Sequence, residues 1–463
     1  MCVRPTGAGG TVRAMQPQPT DSKPDAQASK PLDPEQALRV LIVGGGGREH
    51  TLAWKIAQSP LVTEVLCAPG NAGTAEVARN VDVGANDLNG LVRLAKQEEV
   101  DLVVIGPEDP LVGGLADRLR ERGIRTFGPG ASGARLEGSK AFTKELLEQH
   151  KIPTAGWRRF DRAGQAKAYL ESLKTWPQVV KADGLAAGKG VFIVGDAEEG
   201  SAVVDRLMEE RRLGDAGGQI IVEEFLEGAE VSIMAITDGR TLLVLDAAVD
   251  HKQVGEGDTG PNTGGMGVVS PVSWVDRRLM RQVESRVLLP TLHALQIEEI
   301  PFRGVLYAGL MVGESGPKVL EYNCRFGDPE TQVVLRRLSS DLVPYLMAAA
   351  EGRLEELDPP AWERGVCVGV VGCAEGYPGE IRRGDAIGGL EQAAEVENAV
   401  VFQAGTELAG ATVRTAGGRV LCATGLAQDL GGAREVAYGA LDRIRWDGKF
   451  CRRDIGLRAP ARR

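Results

Sequence analysis

Histidine is scarce, with four in 463 residues, and the seven cysteines (2, 67, 324, 367, 373, 422 and 451) are scattered with no CxxC pair. That poverty of paired ligands argues against a structural zinc site. An odd, dispersed set of thiols fits a reducing, cytoplasmic compartment. No apolar run approaches the roughly 20 residues that cross a bilayer, so no membrane span is expected. A formal net charge of −10 argues against a broad nucleic-acid-binding surface, which is usually basic, but leaves local phosphate sites open.

The apolar and charged fractions, 43% and 25%, are those of a soluble globular protein. The length suggests about three domains. Residues 1–37 are rich in Pro, Gly, Gln and Ser, lack a secretory apolar stretch, and read as a disordered extension, with Met15 as a candidate later start.

From residue 38 to 136 the pattern is that of βα units on a parallel sheet. Val40 to Val43 form a short buried strand, a glycine turn follows, and Leu52, Ala53, Ile56 and Ala57 recur at helical spacing. Two further strands lie in "EVLCAPGNAG" and "VDLVVIGPEDPLV". The glycines occupy 44–47, and Glu49 stands where the third glycine of G-x-G-x-x-G belongs, so the dinucleotide fingerprint fails. What remains is a glycine loop at a helix N-terminus, suited to the phosphate of a smaller ligand.

From 137 to 355, a helix ("EGSKAFTKELLEQHKI") precedes strands joined by tight turns, which predicts an α+β module rather than a second doubly wound sheet. From 356 to 463, short strand-like runs separated by glycine predict a β-rich domain, with one helix in "GAREVAYGALDRI".

The middle segment carries the chemistry. "KADGLAAGKGV", residues 181–191, sets Lys181 and Lys189 around a stretch of Gly and Ala that includes Gly188. Bare backbone N–H groups beside fixed cations suit phosphate; the alternative is a flexible surface turn. Lys140 is a second candidate cation. "EEFLEGAE", residues 223–230, ends a strand whose backbone would meet an adenine edge, with Glu230 accepting from ribose hydroxyls; otherwise it is a charged turn. In "EYNCRFGDPET", Glu321 and Asn323 share a face if the segment is a strand. An acid beside an amide oxygen, near phosphates, suits Mg²⁺, which takes one or two carboxylates and completes its shell with phosphate and water. The Gly- and Thr-rich stretch 250–271 has no apolar periodicity and reads as a binding loop.

"GGREH" (46–50), "PGNAGT" (69–74), "GPEDPLV" (106–112), "GSKAF" (138–142), "KADGLAAGKGV", "DHK", "DTGPNTGGMG" and "NCRFGDPETQ" occur in the order seen in the phosphoribosylamine–glycine ligase (glycinamide ribonucleotide synthetase) family of the ATP-grasp superfamily. The chain resembles that family from about residue 39 to 457. The resemblance implies a Rossmann-like N-terminal domain, an ATP-grasp core and a β-rich C-terminal domain. It implies ATP-dependent joining of glycine to 5-phosphoribosylamine in de novo purine synthesis, through glycyl phosphate, with Mg²⁺ or Mn²⁺.

On this resemblance Lys140, Lys181, Gly188, Lys189, Glu223, Leu226 and Glu230 serve ATP, and Glu321 and Asn323 the metal. Arg325 faces the glycine carboxylate or the transferred phosphoryl group. Asp250 helps fix glycine or the reacting phosphate. Gly46, Gly47, Arg48, Asn71 and Glu108 hold phosphoribosylamine, while Thr263 and Gly265 belong to the loop over the reacting groups. Gln253 and Val269 depart from the family pattern, which has a basic residue and an aromatic there. The rivals are another ATP-grasp carboxylate–amine ligase and a non-catalytic ATP sensor. "GGREH" and "DTGPNTGGMG" argue against the first; the retained lysines and metal ligands argue against the second.

Overall fold

In the computed structural model, residues 37–185, 190–212 and 214–457 are described. The first sheet is parallel throughout: Leu38–Gly44 (β1), Val62–Pro69 (β2), Arg79–Asn80 (β3), Leu102–Ile105 (β4) and Arg125–Phe127 (β5), ordered β3-β2-β1-β4-β5. Val40–Val43 of β1 and the whole of β4 are continuous apolar runs, buried because the sheet is covered on both faces. Helix α1 (Gly47–Ile56) starts directly after β1, so the glycine loop lies at the carboxyl edge of the sheet, where α/β folds place ligands.

Two antiparallel sheets follow, as the expected α+β module requires. Trp157–Phe160 (β6), Gln178–Ala182 (β7), Val191–Val194 (β8) and Ile220–Glu224 (β9) are ordered β6-β9-β7-β8. This sheet has its own core, built on Leu170, Val180, Val204, Ile220 and Val222. Ala229–Thr237 (β10), Leu242–Val244 (β11), Gly304–Gly313 (β12) and Gly316–Asn323 (β13) are ordered β11-β10-β12-β13. The inner face of this second sheet shares a core with the parallel sheet, through residues such as Val231, Ala308 and Val319.

The helix expected across 137–152 is broken at Ser139. A first helix ends at Gly138, Ser139 is extended, and α2 runs from Lys140 to Gln149. The Ser139 hydroxyl accepts from the Phe142 N–H at 3.1 Å, satisfying one of the amides a helix start leaves open.

The C-terminal sheet holds a second difference. Val366–Cys373, Arg419–Ala427 and Ala399–Gln403 pair as the β-rich pattern predicts, but Val249–Asp250 and Gly267–Ser270 join the same sheet. These two short strands flank the 250–271 stretch and lie within the middle segment by sequence. The buried strand Val366–Cys373 needs partners on both edges, and Gly267–Ser270 supplies one. The sheet therefore crosses the boundary expected at residue 356. Among the described residues no helix is long and apolar enough to cross a membrane.

Candidate active site

A cleft of about 430 Å³ is walled by the two antiparallel sheets and closed at one end by α2 and the parallel domain. Strand register assembles one wall. Ser232, Gly309 and Glu321 stand opposite one another across β10, β12 and β13, and Met234, Tyr307 and Asn323 form the next row. Side chains alternate along a strand, so Glu321 and Asn323, two residues apart on β13, point the same way. A Cβ at Gly309 would lie 3.4 Å from the Glu321 Cγ, in ordinary van der Waals contact, so the two residues are direct neighbours on this face.

The other wall carries the cations. Asp183, in the "KADG" stretch, accepts from the Ala141 N–H at 2.6 Å, tying the segment after β7 to the start of α2. Lys140 donates to the Gly184 carbonyl at 3.1 Å, and burial draws its ammonium down, opposed by Glu321. Lys181 on β7 donates to the Leu320 carbonyl at 3.2 Å and lies 3.0 Å from Glu223 Oε2. The same oxygen is 3.1 Å from the Lys144 ammonium, one turn after Lys140 on α2. Burial brings Lys144 down to about 8, with Glu223 opposing.

At the cleft floor Lys252 pairs with Glu230 and lies 3.8 Å from Glu321. Burial alone would lower Lys252, but Glu230 and Glu321 outweigh it and hold it well above the ordinary lysine range. Burial would raise Glu321, yet Lys252, Lys181 and Lys140 keep it below the usual range and hence ionised. One ionised carboxylate with an amide oxygen on the same face fits a magnesium-like ion that draws its other ligands from phosphates and water. Among the described residues no cluster of three or more His, Cys, Asp or Glu could hold a metal alone.

Arg325 sits between two acids, 2.8 Å from Glu137 and 3.3 Å from Glu108. Glu137 also accepts from the Cys324 N–H at 2.8 Å, which fixes the turn after β13. Asp250 and Glu330 are a second acidic pair. Burial, reinforced by Glu330, pushes the Asp250 carboxyl well above its ordinary value, and its Oδ1 has no hydrogen-bond partner. Tyr307 donates to Glu330 Oε1 at 2.6 Å. Over Asp250 lies the 263–265 turn: a Cβ at Gly265, where φ is +113°, would come within 2.6 Å of Asp250 Oδ1. Thr263 donates to the Lys252 carbonyl at 2.7 Å. From the C-terminal sheet, Arg419 donates to the carbonyls of Gly264 and Asp328, and the Tyr377 hydroxyl accepts from the Gly264 N–H at 3.0 Å.

The parallel domain reaches the cleft through Arg48, which donates to the Phe326 carbonyl at 3.1 Å and pairs with Glu49 at 2.6 Å. The glycine loop behind it is tightly packed. A Cβ at Gly45 would lie 2.4 Å from the Gly70 carbonyl oxygen, and one at Gly47 would lie 2.6 Å from Gln332. The Asn71 amide donates to the carbonyls of Gly45 and Gln403, each at 2.9 Å, and so joins this loop to the C-terminal sheet. His50 accepts from the Gln403 N–H at 2.8 Å, and burial pushes its imidazole down to about 4.

Comparison with known proteins agrees with this layout. Residues 38–137, 138–331 and 367–458 match the N, ATP-grasp (A) and C domains of phosphoribosylglycinamide synthetase. Phosphoribosylamine–glycine ligase of Escherichia coli K12 is 49% identical over 426 residues, which cover 91% of this chain and 99% of that one. The chain belongs to the phosphoribosylglycinamide synthetase family. The Rhodopirellula baltica ligase is 48% identical, covering 91% of this chain and 97% of the relative. The crystal structure of the Thermotoga maritima ligase superposes with a TM-score of 0.80 at 33% identity, over 90% of this chain and 100% of that one. Biotin carboxylase from Campylobacter jejuni, in complex with β-γ-ATP, shares the fold at TM-score 0.67 and 14% identity, over 89% and 93%.

In this synthetase-family chain, twelve residues singled out from sequence line one cleft: Arg48, Glu108, Lys140, Lys181, Glu223, Leu226, Glu230, Asp250, Thr263, Glu321, Asn323 and Arg325. Gly46, Gly47, Asn71 and Gly265 lie behind its wall. Asn71 spends its amide on the domain junction, and the glycines allow close packing around Arg48 and Asp250. Gly188 and Lys189 fall outside the described residues. Sequence reasoning missed Glu137, Lys144, Lys252, Glu330 and Arg419. Lys252 and Glu330 were within reach, since they stand inside the motifs "DHK" and "GDPET". Arg419, about 90 residues further along the chain, carried no such signal.

Proposed function

We propose that this chain joins glycine to 5-phosphoribosylamine using ATP, yielding glycinamide ribonucleotide, ADP and phosphate in purine synthesis. The observation that carries the reading is the meeting, in one cleft, of Lys140 and Lys181 with the Glu321–Asn323 face and Arg48 of the parallel domain. A glycine carboxylate oxygen attacks the γ-phosphorus, and ADP leaves. The amine of phosphoribosylamine then attacks the acyl carbon of glycyl phosphate. Phosphate departs with the bridging oxygen and takes up the proton the amine loses.

Such transfer asks the protein for positioning and charge stabilisation rather than a covalent nucleophile. Lys140 and Lys181 would neutralise the nucleotide phosphates. Glu230 would accept from the ribose, beside an apolar slot that includes Leu226 and Phe225. Glu321 and Asn323 would hold Mg²⁺ or Mn²⁺, which when bound neutralises charge on the transferring phosphoryl group. Arg325, held by Glu137 and Glu108, would orient the glycine carboxylate. Asp250, whose Oδ1 is unpartnered, and Glu330 would receive the glycine ammonium; a cation there favours ionisation of Asp250. Arg48, above the N-terminus of α1, and Glu108 would hold the sugar phosphate. Among the described residues all six cysteines are free thiols, which supports a reducing, cytoplasmic location.

The test is ADP release with glycine, freshly generated phosphoribosylamine, ATP and Mg²⁺, omitting each in turn. Release that needs all four supports the reading. ATP hydrolysis indifferent to glycine counts against it.

A further inference from the structure

Lys144 has no part in the chemistry above, yet it lines the same cleft and is only 1% exposed. Its ammonium donates to Thr154 Oγ1 at 2.7 Å, and that hydroxyl donates onward to the Val319 carbonyl at 2.7 Å. Its remaining contact is Glu223 Oε2, the oxygen that Lys181 approaches from the cleft side. Glu223 Oε1 has no partner. One buried carboxylate oxygen is thus divided between two ammonium groups. Both line the cleft, Lys181 with 7% of its side chain exposed and Lys144 with 2%.

The charge balance follows. Were Lys144 absent, Glu223 would pair with Lys181 alone, and the pair would present little net charge to an anion. With Lys144 in place the three groups carry a net positive charge, nearest the cleft at Lys181. We propose that Lys144 is a positioning residue for nucleotide binding: by sharing Glu223 it prevents that carboxylate from neutralising Lys181, and so leaves the charge of Lys181 to the nucleotide. This rests on the reading above that Lys181 serves ATP.

Besides Glu223, the charged groups around Lys144 are Lys181 on β7, Glu224 on β9, Lys140 on its own helix, and Lys318 and Glu321 on β13. Because burial brings Lys144 down to about 8, its charge is lost as pH rises through that value, while an arginine there would stay charged.

The experiment measures ATP affinity, by direct binding and as the KM for ATP, between pH 7 and pH 9.5. In the unaltered enzyme the affinity should fall about tenfold across this range, the size of coupling that contacting groups show; a flat profile overturns the proposal. Lys144→Met should bind ATP about tenfold more weakly at pH 7, and unchanged affinity overturns the proposal. Lys144→Arg should keep the pH 7 affinity and lose the alkaline fall, whereas a merely structural lysine would leave that fall in place. Lys144→Met added to Lys181→Ala should cause no further loss; a second, additive loss would show that Lys144 does not act through Lys181. If Lys181→Ala itself leaves ATP binding intact, the assignment of Lys181 fails, separately from the role of Lys144.

Discussion

On the proposed function, removing Glu321 and removing Arg48 should affect different substrates of the cleft. Glu321 keeps 37% of its side-chain exposure because it faces the open cleft. Glu321→Ala should therefore fold normally, with a thermal midpoint within a few degrees of wild type, yet lose turnover by about 100-fold or more. Retained turnover with ordinary Mg²⁺ dependence would remove Glu321 from the metal site. Arg48→Ala should raise the KM for phosphoribosylamine about tenfold, the scale of one lost charge-assisted contact; a selective effect on ATP would reassign it. At this scale sequence reading reached the cleft where a residue type stood beside a motif, as Lys181 does beside its glycine stretch. It passed over Lys144 because a lysine at i+4 on a helix ordinarily faces water. Only the tertiary packing around Glu223 and Thr154 reveals its burial.

At the scale of elements, the start of α2 is where two motifs distant in sequence become one object. Ser139 caps the helix from within "GSKAF" by accepting from the Phe142 N–H, and Asp183 of "KADG" accepts from the preceding amide, that of Ala141. Ser139→Ala should cost about 1 kcal/mol, read from the urea midpoint. Asp183→Ala should lower that midpoint and also weaken ATP binding, because it releases the segment after Lys181 from the helix that carries Lys140. If ATP binding is untouched, the cap is structural only. The periodicity of 137–152 made a helix legible, but not its break, since a serine in a helical pattern is equally a solvated residue and a cap. The apolar runs of β1 and β4 were legible because strands covered on both faces need no alternation. The strands Val249–Asp250 and Gly267–Ser270 were not, because so short a strand takes its identity from its partners.

Across the whole molecule, the parallel domain and the C-terminal sheet are joined at His50, Asn71 and Gln403. This junction should respond to acid. The His50 imidazole lies at about 4 in the fold against 6.5 when free, so its neutral form is favoured by folding. Its contribution is full above pH 6.5 and is lost as pH falls toward 4, amounting to about 2 kcal/mol between pH 7 and pH 5. His50→Asn, whose amide oxygen can still accept from the Gln403 N–H, should show a correspondingly smaller loss of stability over that interval in urea titrations. An unchanged acid limb would contradict the account of the junction. The three-domain order was legible from ordered motifs, whereas Arg419 and Tyr377, which reach the site from the last domain, were not, because nothing local to them signals a ligand.

On the proposed function, the cleft activates the glycine carboxylate by phosphorylation before the amine attacks. The direct measurement uses glycine labelled with ¹⁸O in both carboxylate oxygens. One labelled oxygen per turnover should appear in inorganic phosphate and the other should remain in the amide of the product. Unlabelled phosphate formed together with product would contradict an acyl phosphate, and with it the roles of Lys181, Glu321 and Arg325 in forming one.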